Sequence, residues 1–462
     1  MSTVVDRALS FVDLPFKLKE KQVEVVNKYG AYNRHGLYLD MGLGKTVCST
    51  LVGIDRLIAG VRAVLVLCPP VIIDQWAKWL RSLQVDVLVY RGTKSERPDL
   101  LKHFLSHDFI VMSPDIFRND FYAIKDTVRT EELHLIIDEA NLIKSHTGVT
   151  HKRVKLLQGT ERGLTLLTGT PLTSPQDAYG YIKLVTPGVY ATKQQFDRIH
   201  IALKDEYGSA IEYDNLDLLK DNFYLQSISL SVDEMIDMPE IDYQIVEYDL
   251  APRHLELYRK LVREKIMIVE REGGKESVLD ATKVQSLRHW AQRLVFSPHH
   301  LGYTARPVGL ELALEESQGA GKLAVFSNYQ DTNALLCKEI PDSAGVYGQI
   351  SRPQQAKNIE AFQTGDLKRL IINPRSGGVG LELQNSCNHV LFCEFPVTAN
   401  EFRQARSRVW RQGQEKKVIC KILVAKGTIQ PKLLDTCMKK DDVLVKVQYT
   451  TKKLREELLG EY

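Results

Sequence analysis

Short, continuously apolar runs are the feature of this 462-residue sequence that most restricts its fold. The first third contains "GLYLD", "AVLVLCPP", "DVLVY", "FIVMSP", "LHLIIDEA" and "LTLLTGTP". Most of these runs do not alternate with polar residues, which is typical of parallel strands covered by helices on both faces. The pattern returns near the C-terminus as "KLAVFSN", "RLIINP", "HVLFCEF" and "VICKILVAKG". The sequence therefore predicts two α/β lobes with parallel sheets.

Helical patterns separate these runs. Between the first two, Val47, Leu51, Ile54 and Ile58 share one helical face, and Gly60 suits the C-terminal end of that helix. From residue 172 to about 318 the helical patterns become longer and more polar. We expect a first lobe over 1–188, a mostly helical insertion over 189–318 and a second lobe over 319–462.

Composition excludes some classes of protein. The length exceeds what one hydrophobic core usually organises. No apolar run approaches the roughly 20 residues that span a bilayer, and the start of the sequence lacks the pattern of a signal peptide. The seven cysteines form no C-x-x-C pair, which favours buried free thiols in a reducing cytoplasm. The formal charge of +3 neither requires nor excludes nucleic acid, so any phosphate-binding surface is expected to be local.

The stretch "LYLDMGLGKT", residues 37–46, ends like a phosphate loop. The strict template G-x-x-x-x-G-K-[ST] requires glycine where this chain has Leu39. Gly42 and Gly44 would let backbone N–H groups approach phosphate oxygens, and the following helix would add its positive N-terminal end. Lys45 could then reach the β and γ phosphates, and the Thr46 hydroxyl could ligate Mg²⁺. An ordinary glycine turn is the alternative interpretation.

An acidic pair follows a later strand, in "LIIDEANLIK". Ligands of open α/β sheets bind at the carboxyl ends of the strands, so Asp138 and Glu139 should lie beside the loop. Asp138 would hold Mg²⁺, and Glu139 would polarise the attacking water. A solvated acidic pair is the alternative.

A third motif, "QARSRVWRQGQ" at 404–414, contains Arg408 and Arg411, which share one face if the segment is helical. An arginine that meets the γ-phosphate only when two lobes close would stabilise charge in the transition state. The alternative is a basic helix face that serves solubility.

The order of these motifs resembles the Swi/Snf ATPase family of helicase superfamily 2. "KLKEKQ", "DMGLGKT", "DEAN" and "LTGTP" are similar to its adenine-reading motif, phosphate loop, DEAH-type box and the motif that links ATP to nucleic acid. "FSNY", "SGGVGLEL" and "QARSRVWRQGQ" follow in family order. The resemblance runs from about Phe16 to about Val447. It is strongest to the annealing-helicase branch and to compact bacterial or phage members.

The resemblance implies two RecA-like lobes that use ATP and Mg²⁺. The implied catalytic residues are Lys45, Asp138, Glu139, Arg408 and Arg411. The implied ATP contacts are Gln22, Met41, Gly42, Leu43, Gly44, Lys45, Thr46 and Gln404, with Mg²⁺ held through Thr46 and Asp138. The implied DNA contacts, mainly to phosphates, are Ser113, Thr168, Ser327, Asn328, Gly377 and Gly378.

Departures from the family pattern include three single substitutions, the missing paired arginines at "FYLQSISL" and a W-N-P motif reduced to "EFPV". Asn141 replaces the last histidine of the box, Glu382 replaces an asparagine, and Trp410 replaces a histidine before the second arginine. Because the five catalytic residues remain, we expect hydrolysis to be intact and coupling to DNA to be the property affected.

The sequence thus predicts a cytoplasmic, ATP-dependent motor that moves on duplex DNA, in a bacterium or a phage-infected host. One alternative is a strand-separating helicase acting on DNA or RNA. The other is a non-catalytic, ATP-dependent clamp or scaffold. No membrane partner is expected, and the sequence does not reveal whether the chain has protein partners. Trp76 and Trp79 could stack on bases, but their helical spacing favours core packing.

Overall fold

The computed structural model describes residues 2–128, 133–157, 163–172, 174–204, 210–230, 238–273, 281–297, 303–319, 321–374, 381–411 and 413–438. The chain divides into two compact units, one over 1–203 with 212–236 and the other over 204–211 with 237–462. Each unit is built around a parallel sheet, which confirms the predicted α/β fold class. Within the described ranges, no helix combines the length and apolar character needed to cross a bilayer.

The first unit contains a seven-stranded sheet. Its chain holds the strands β1 (Arg34–Leu39), β2 (Ala63–Leu67), β3 (Val87–Val89), β4 (Phe109–Met112), β5 (Leu133–Asp138), β6 (Gly163–Leu167) and β9 (Ser227–Leu230). The order across the sheet is β3-β4-β2-β5-β6-β1-β9, and all neighbours pair in parallel. The strands β7 (Ile201–Lys204) and β8 (Ala210–Tyr213) form a separate two-stranded sheet. Every residue of β2, β4 and β5 is buried, as the continuous apolar runs predict.

The helices of this stretch are α1 (Val4–Leu9), α2 (Glu20–Tyr29), α3 (Lys45–Ile58), α4 (Ile73–Ser82), α5 (Arg97–Lys102), α6 (Pro114–Thr127), α7 (Val149–Leu157), α8 (Ala178–Val185), α9 (Lys193–His200) and α10 (Leu216–Tyr224). On α3, Leu51 and Ile54 are buried as predicted, whereas Ile58 is exposed at the helix end. Burial of this face fixes the start of α3 against the sheet. The loop that precedes the helix is therefore held at the carboxyl end of β1.

The second unit contains a six-stranded sheet built from β10 (Ile241–Tyr248), β11 (Leu323–Phe326), β12 (Ser343–Val346), β13 (Arg369–Ile372), β14 (His389–Phe392) and β15 (Val418–Ala425). The order is β10-β15-β14-β11-β13-β12, again with parallel neighbours. Its helices are α11 (Pro252–Gly273), α12 (Ala281–Phe296), α13 (Val308–Glu316), α14 (Gln330–Glu339), α15 (Arg352–Thr364), α16 (Ala399–Arg406) and α17 (Gln430–Met438).

The middle segment contributes strands to both sheets. β9 pairs with β1 at one edge of the first sheet, and β10 pairs with β15 at one edge of the second. The helices α11 and α12 agree with the helical patterns of the sequence, but the strands were not expected within an insertion. The division at 188/189 and 318/319 stays a prediction.

Candidate active site

The loop predicted to bind phosphate connects β1 to α3. Gly42 and Gly44 have φ values of 83° and 81°, in the left-handed region that favours glycine. A Cβ atom on Gly44 would lie 2.4 Å from Nε2 of Gln22, so a side chain here would also displace the Gln22 amide. Leu39, which breaks the strict template, is the fully buried last residue of β1. The backbone of the loop therefore requires glycine at positions 42 and 44, whereas position 39 belongs to the strand and does not require glycine.

Two side chains stabilise this loop by hydrogen bonds to its main-chain oxygens. The ammonium group of Lys45 donates to the main-chain oxygens of Leu39 at 2.6 Å and Asp40 at 3.0 Å. Gln22 is buried on α2 and donates from Nε2 to the main-chain oxygen of Leu43 at 3.1 Å. Leu43 itself is buried, so it can offer a ligand only its main chain. A hydrogen bond thus connects the predicted adenine-reading glutamine to the predicted phosphate loop.

Asp138 and Glu139 lie where β5 ends. Asp138 Oδ2 accepts a hydrogen bond from Trp76 Nε1 at 2.9 Å, and Oδ1 accepts one from the main-chain N–H of Glu139 at 3.0 Å. Burial raises the pKa of Asp138, while the Trp76 hydrogen bond and the positive charge of Lys45 act in the opposite direction. Glu139 has φ of 55°, an unfavourable backbone for this residue type of the kind found at functional sites. Hydrogen bonds therefore fix the Asp138 carboxylate, and the backbone of Glu139 is strained, so the pair is not an ordinary solvated acidic pair.

The strand order brings the loop and the acids together. β6 lies between β1 and β5, and "LTGTP" continues beyond it. A Cβ atom on Gly169 would lie 3.3 Å from the main-chain oxygen of Leu39 and 3.6 Å from Lys45 Nζ. Three neighbouring strands thus deliver the loop, a close-packed glycine and the acidic pair to the same carboxyl edge.

The donor set at this edge fits Mg²⁺. Among the described residues, no group of three or more His, Cys, Asp or Glu side chains could hold a metal alone. Mg²⁺ in nucleotide sites usually takes one or two protein oxygens, with phosphate and water supplying the rest. The carboxylate of Asp138 and the hydroxyl of the half-buried Thr46 are oxygen donors of this kind. These residues could therefore hold Mg²⁺ only together with a phosphate ligand.

In the second unit, the helix α16 ends at Arg406, before both predicted arginines. The helical spacing expected of Arg408 and Arg411 therefore does not apply, because they follow in a turn whose main-chain bonds include Arg408 N to Ala405 O at 3.2 Å. Arg408 is buried. Arg411 forms an ion pair with Glu382 at 3.0 Å. The substituted family position Glu382 thus contacts one of the two predicted cations.

Trp410, another departure, has a defined structural role. Its Nε1 donates to the main-chain oxygen of Pro239 at 2.7 Å, and the guanidinium group of Arg406 lies 4.7 Å from its ring centroid. Arg406 also donates to the hydroxyl of Tyr243, on β10. Gln404, predicted to contact ATP, is half-buried on α16. Trp410 therefore connects the arginine turn to the beginning of the edge strand β10.

The predicted DNA contacts have internal partners. Ser113 caps α6 by accepting from Ile116 N at 3.3 Å, and Thr168 accepts from Thr170 N at 3.1 Å. Ser327 is fully buried and donates to Glu394 at 2.7 Å. Asn328 donates to the main-chain oxygen of Phe395 at 3.0 Å. In this structure these side chains bond to neighbouring groups of the protein, so their role in binding DNA stays a prediction. Gly377 and Gly378 lie outside the described residues.

Glu394 is a residue that the sequence interpretation missed. It is completely buried, and it accepts hydrogen bonds from Ser327, from Thr332 at 2.9 Å and from the main-chain N–H of Asn328 at 3.1 Å. Burial raises its pKa to about 7. An acid directly after the apolar run "HVLFC" was the available signal. Beside it, a polar cavity of about 540 Å³ opens at the carboxyl ends of β11, β12 and β13, with Asn328, Gln349 and Asn373 in its lining.

Comparison with known proteins shows which domain families the chain matches. Residues 22–294 match the model of the SNF2-related domain, and residues 308–413 match the helicase conserved C-terminal domain. The DNA repair and recombination protein RAD54-like of Danio rerio is 24% identical over 463 residues, which cover 86% of this chain and 61% of the relative. The TATA-binding protein-associated factor BTAF1 of Arabidopsis thaliana is 22% identical over 512 residues, covering 91% and 25%. The chain thus spans less than two thirds of the length of these relatives.

A solved structure supports the fold independently. The Hef helicase domain of Pyrococcus furiosus matches with a TM-score of 0.55 at 18% identity, over 90% of this chain and 97% of that one. At this identity the likeness concerns the fold alone. The prediction of two lobes of the RecA-like class is confirmed.

Proposed function

Because the chain belongs to the Swi/Snf family of helicase superfamily 2, we propose that it hydrolyses Mg²⁺·ATP and uses the energy to move along duplex DNA. The observation that carries this proposal is the carboxyl edge of β1, β6 and β5, where Lys45, the glycine loop and the acids Asp138 and Glu139 meet. An ordinary glycine turn or a solvated acidic pair would give no reason for these groups to lie at the same edge of the sheet.

The chemistry follows from the positions of these groups. The main-chain N–H groups of the loop and the N-terminal end of α3 would bind the phosphates of ATP. Lys45 would exchange its two carbonyl acceptors for phosphate oxygens, which are better partners for a cation. Mg²⁺, when bound, would neutralise charge that develops on the phosphates. Thr46 and Asp138 would hold it, and Glu139 would orient the attacking water.

The resemblance assigns Arg408 and Arg411 to stabilisation of the transition state, and we retain that assignment as a proposal. It predicts that loss of either guanidinium lowers the turnover rate more than it lowers ATP affinity, because charge builds up only during phosphoryl transfer.

DNA is the proposed polymer because several curated relatives are described as DNA repair and recombination proteins. A motor that steps along any sequence needs contacts to the backbone and not to the bases. A cytoplasmic location is proposed together with this function. It is supported by six described cysteines that are free thiols, five of them buried. A bacterial or phage source is also a proposal, and the curated relatives named above come from a fish and a plant.

An ATPase assay tests the function. Turnover is measured with no polymer, duplex DNA, single-stranded DNA and RNA, for the unsubstituted chain and for Lys45→Ala, Glu139→Gln and Arg411→Ala. Duplex DNA is expected to stimulate most, and each variant is expected to lose at least about 100-fold in turnover, a typical loss for one such charged group. Lys102→Ala, an exposed lysine on α5, is the matched control and should keep full activity.

The remaining functions predict other outcomes. Equal turnover with and without polymer contradicts a translocase, and stimulation by RNA alone assigns the chain to another branch. Binding of ATP and DNA without turnover indicates a clamp. Displacement of a triplex-forming strand without unwinding of a duplex separates translocation from strand separation.

A further inference from the structure

Trp76 links the helix α4 to the proposed magnesium ligand. It is 2% exposed, and its indole Nε1 lies 2.9 Å from Oδ2 of Asp138. The contact is possible because β2, which leads into the α4 region, is the direct neighbour of β5 in the sheet. The second oxygen, Oδ1, accepts the main-chain N–H of Glu139 at 3.0 Å. Each oxygen of the carboxylate is thus held by one neutral donor.

Neutral donors have a specific advantage at a metal ligand. A lysine or arginine in the place of Trp76 would neutralise the carboxylate and compete with a cation for it. An indole N–H fixes the orientation of the carboxylate and leaves its charge available. Each carboxylate oxygen offers two lone-pair sites, so both oxygens keep one for a metal or a water.

A neighbouring tryptophan on the same helix provides a comparison. Trp79 lies on the same helix, is half-buried and donates from Nε1 to the hydroxyl of Thr50 at 3.1 Å. Its ring stacks on Phe16 at a centroid distance of 6.0 Å. Its indole N–H does not bond to Asp138, whose two carboxylate oxygens accept from Trp76 and from the main chain of Glu139. The two residues therefore offer the same chemical group on one helix, of which only Trp76 reaches the carboxylate.

We propose that Trp76 is a positioning residue for Mg²⁺ binding, which sets the orientation of the Asp138 carboxylate through its indole N–H. This inference rests on the proposed function, because it assumes that Asp138 meets Mg²⁺ when nucleotide binds. It assigns to Trp76 a role that neither base stacking nor core packing would require.

Binding measurements test the inference separately from catalysis. Isothermal titration calorimetry with the non-hydrolysable analogue AMP-PNP is carried out across a series of MgCl₂ concentrations, and in EDTA. Trp76→Phe is expected to raise the half-saturating Mg²⁺ concentration about tenfold, the effect of one hydrogen bond to a charged group. Its affinity for AMP-PNP in EDTA should remain that of the unsubstituted chain. Trp79→Phe should change neither quantity.

A rescue variant separates the hydrogen bond from the volume of the ring. The Nε2 atom of histidine occupies the same place in its five-membered ring as Nε1 in the pyrrole ring of tryptophan. At pH 8.5, where the imidazole is neutral, Trp76→His is therefore expected to recover most of the Mg²⁺ affinity that Trp76→Phe loses. Equal losses in both variants would contradict the inference. Circular dichroism spectra establish that each variant is folded.

A measurement without substitution at position 76 completes the test. In a variant with Trp79, Trp290 and Trp410 all replaced by phenylalanine, Trp76 is the one tryptophan left in the sequence, and addition of Mg²⁺ to the AMP-PNP complex should shift its emission because the environment of its indole changes. The absence of any shift overturns the inference. If the unsubstituted chain binds no AMP-PNP at any Mg²⁺ concentration, the proposed function fails. If it binds and Trp76→Phe binds with the same Mg²⁺ dependence, only the role of Trp76 fails.

Discussion

The guanidinium group of Arg411 lies 3.0 Å from the carboxylate of Glu382, both in the second unit. Arg411 is 21% exposed and Glu382 is 44% exposed, so water weakens the attraction. If Arg411 acts on the nucleotide, the Glu382 carboxylate competes with the phosphate for its guanidinium group.

Glu382→Gln is therefore expected to raise the ATPase rate without DNA by about two- to fivefold, the range that one exposed ion pair supports. The matched control is Glu240→Gln, which removes another exposed pair of this unit, with Lys417 at 3.5 Å. Steady-state kinetics without polymer measure the effect. A lower rate in Glu382→Gln would show that the carboxylate orients Arg411 productively.

Gly44→Ala tests the requirement for glycine in the phosphate loop. The substitution combines a left-handed backbone with a Cβ atom 2.4 Å from Gln22 Nε2, so the loop and Gln22 must both shift. We expect AMP-PNP affinity to fall at least about tenfold and the stability of the first unit to fall by about 1–3 kcal/mol. Gly60→Ala is the control, because φ there is 99° but no atom lies within 4 Å of the added Cβ. It should lose stability and keep its AMP-PNP affinity.

Two buried histidines make the first unit sensitive to acid. Thr165 Oγ1 lies 3.1 Å from His35 Nε2 and 3.0 Å from His134 Nε2, and His35 Nδ1 lies 3.1 Å from Tyr32 O. These contacts fit a chain of donors in which both rings are neutral. Burial lowers the pKa of His35 to about 3 and lowers that of His134 well below its ordinary value.

As the pH falls, the two histidines therefore become protonated near pH 6.5 in the unfolded chain and only at lower pH in the folded chain. Stability from the pair should be complete above pH 6.5 and should fall as the pH decreases, by about 1.4 kcal/mol per pH unit for each histidine. Urea unfolding between pH 4.5 and 7.5 measures this slope. His134→Gln should reduce this slope by about 1.4 kcal/mol per pH unit and leave the contribution of His35, whereas His103→Gln, at an exposed position, should leave the slope unchanged. Equal slopes in all three chains would contradict the prediction.

Glu394 should affect the pH dependence of stability with the opposite sign. Its pKa is raised to about 7, so the folded state favours the protonated acid, and ionisation of the unfolded chain near pH 4.5 costs stability as the pH rises to 7. Compared with Glu394→Gln, the unsubstituted chain should lose about 3 kcal/mol over this range, since 2.5 pH units at 1.4 kcal/mol each set the scale.

Glu394→Ala is expected to be destabilising at every pH, by about 2–5 kcal/mol, because Ser327, Thr332 and the N–H of Asn328 lose their shared acceptor. Thermal unfolding of both variants at pH 5 and pH 8 checks these expectations. A Glu394→Gln variant with the pH profile of the unsubstituted chain would show that Glu394 does not titrate in this range.

The central strands could be predicted because their signal is local. A strand buried on both faces, such as β2 or β5, must be apolar throughout, and its sequence shows this directly. The edge strands carry a weaker signal. β9 reads "SISL" and β10 reads "IDYQIVEY", and both were missed because only their pairing with β1 and β15 makes them strands.

The candidate site divides in the same way. The loop glycines and the acids were predicted because their chemistry depends on residue type and spacing, as with Gly44 and Asp138. The partners that hold them come from distant positions, such as Trp76 at Asp138 and Gln22 at Leu43. The hydroxyls of Thr168 and Ser327 could not be distinguished from surface groups, because burial depends on packing that no short motif encodes.

The edge strand β9 has a mechanical consequence. Its last residue, Leu230, pairs with Leu39, and its main-chain oxygen accepts from Asp40 N at 2.9 Å, at the first residue of the phosphate loop. The chain makes its final passage from the first unit to the second just beyond this point. Because β9 runs parallel to β1, a pull on the C-terminal end of β9 along the strand would load the hydrogen bonds between the two strands in shear. A displacement of the phosphate loop would act on the same end of β9 through the hydrogen bond of Asp40.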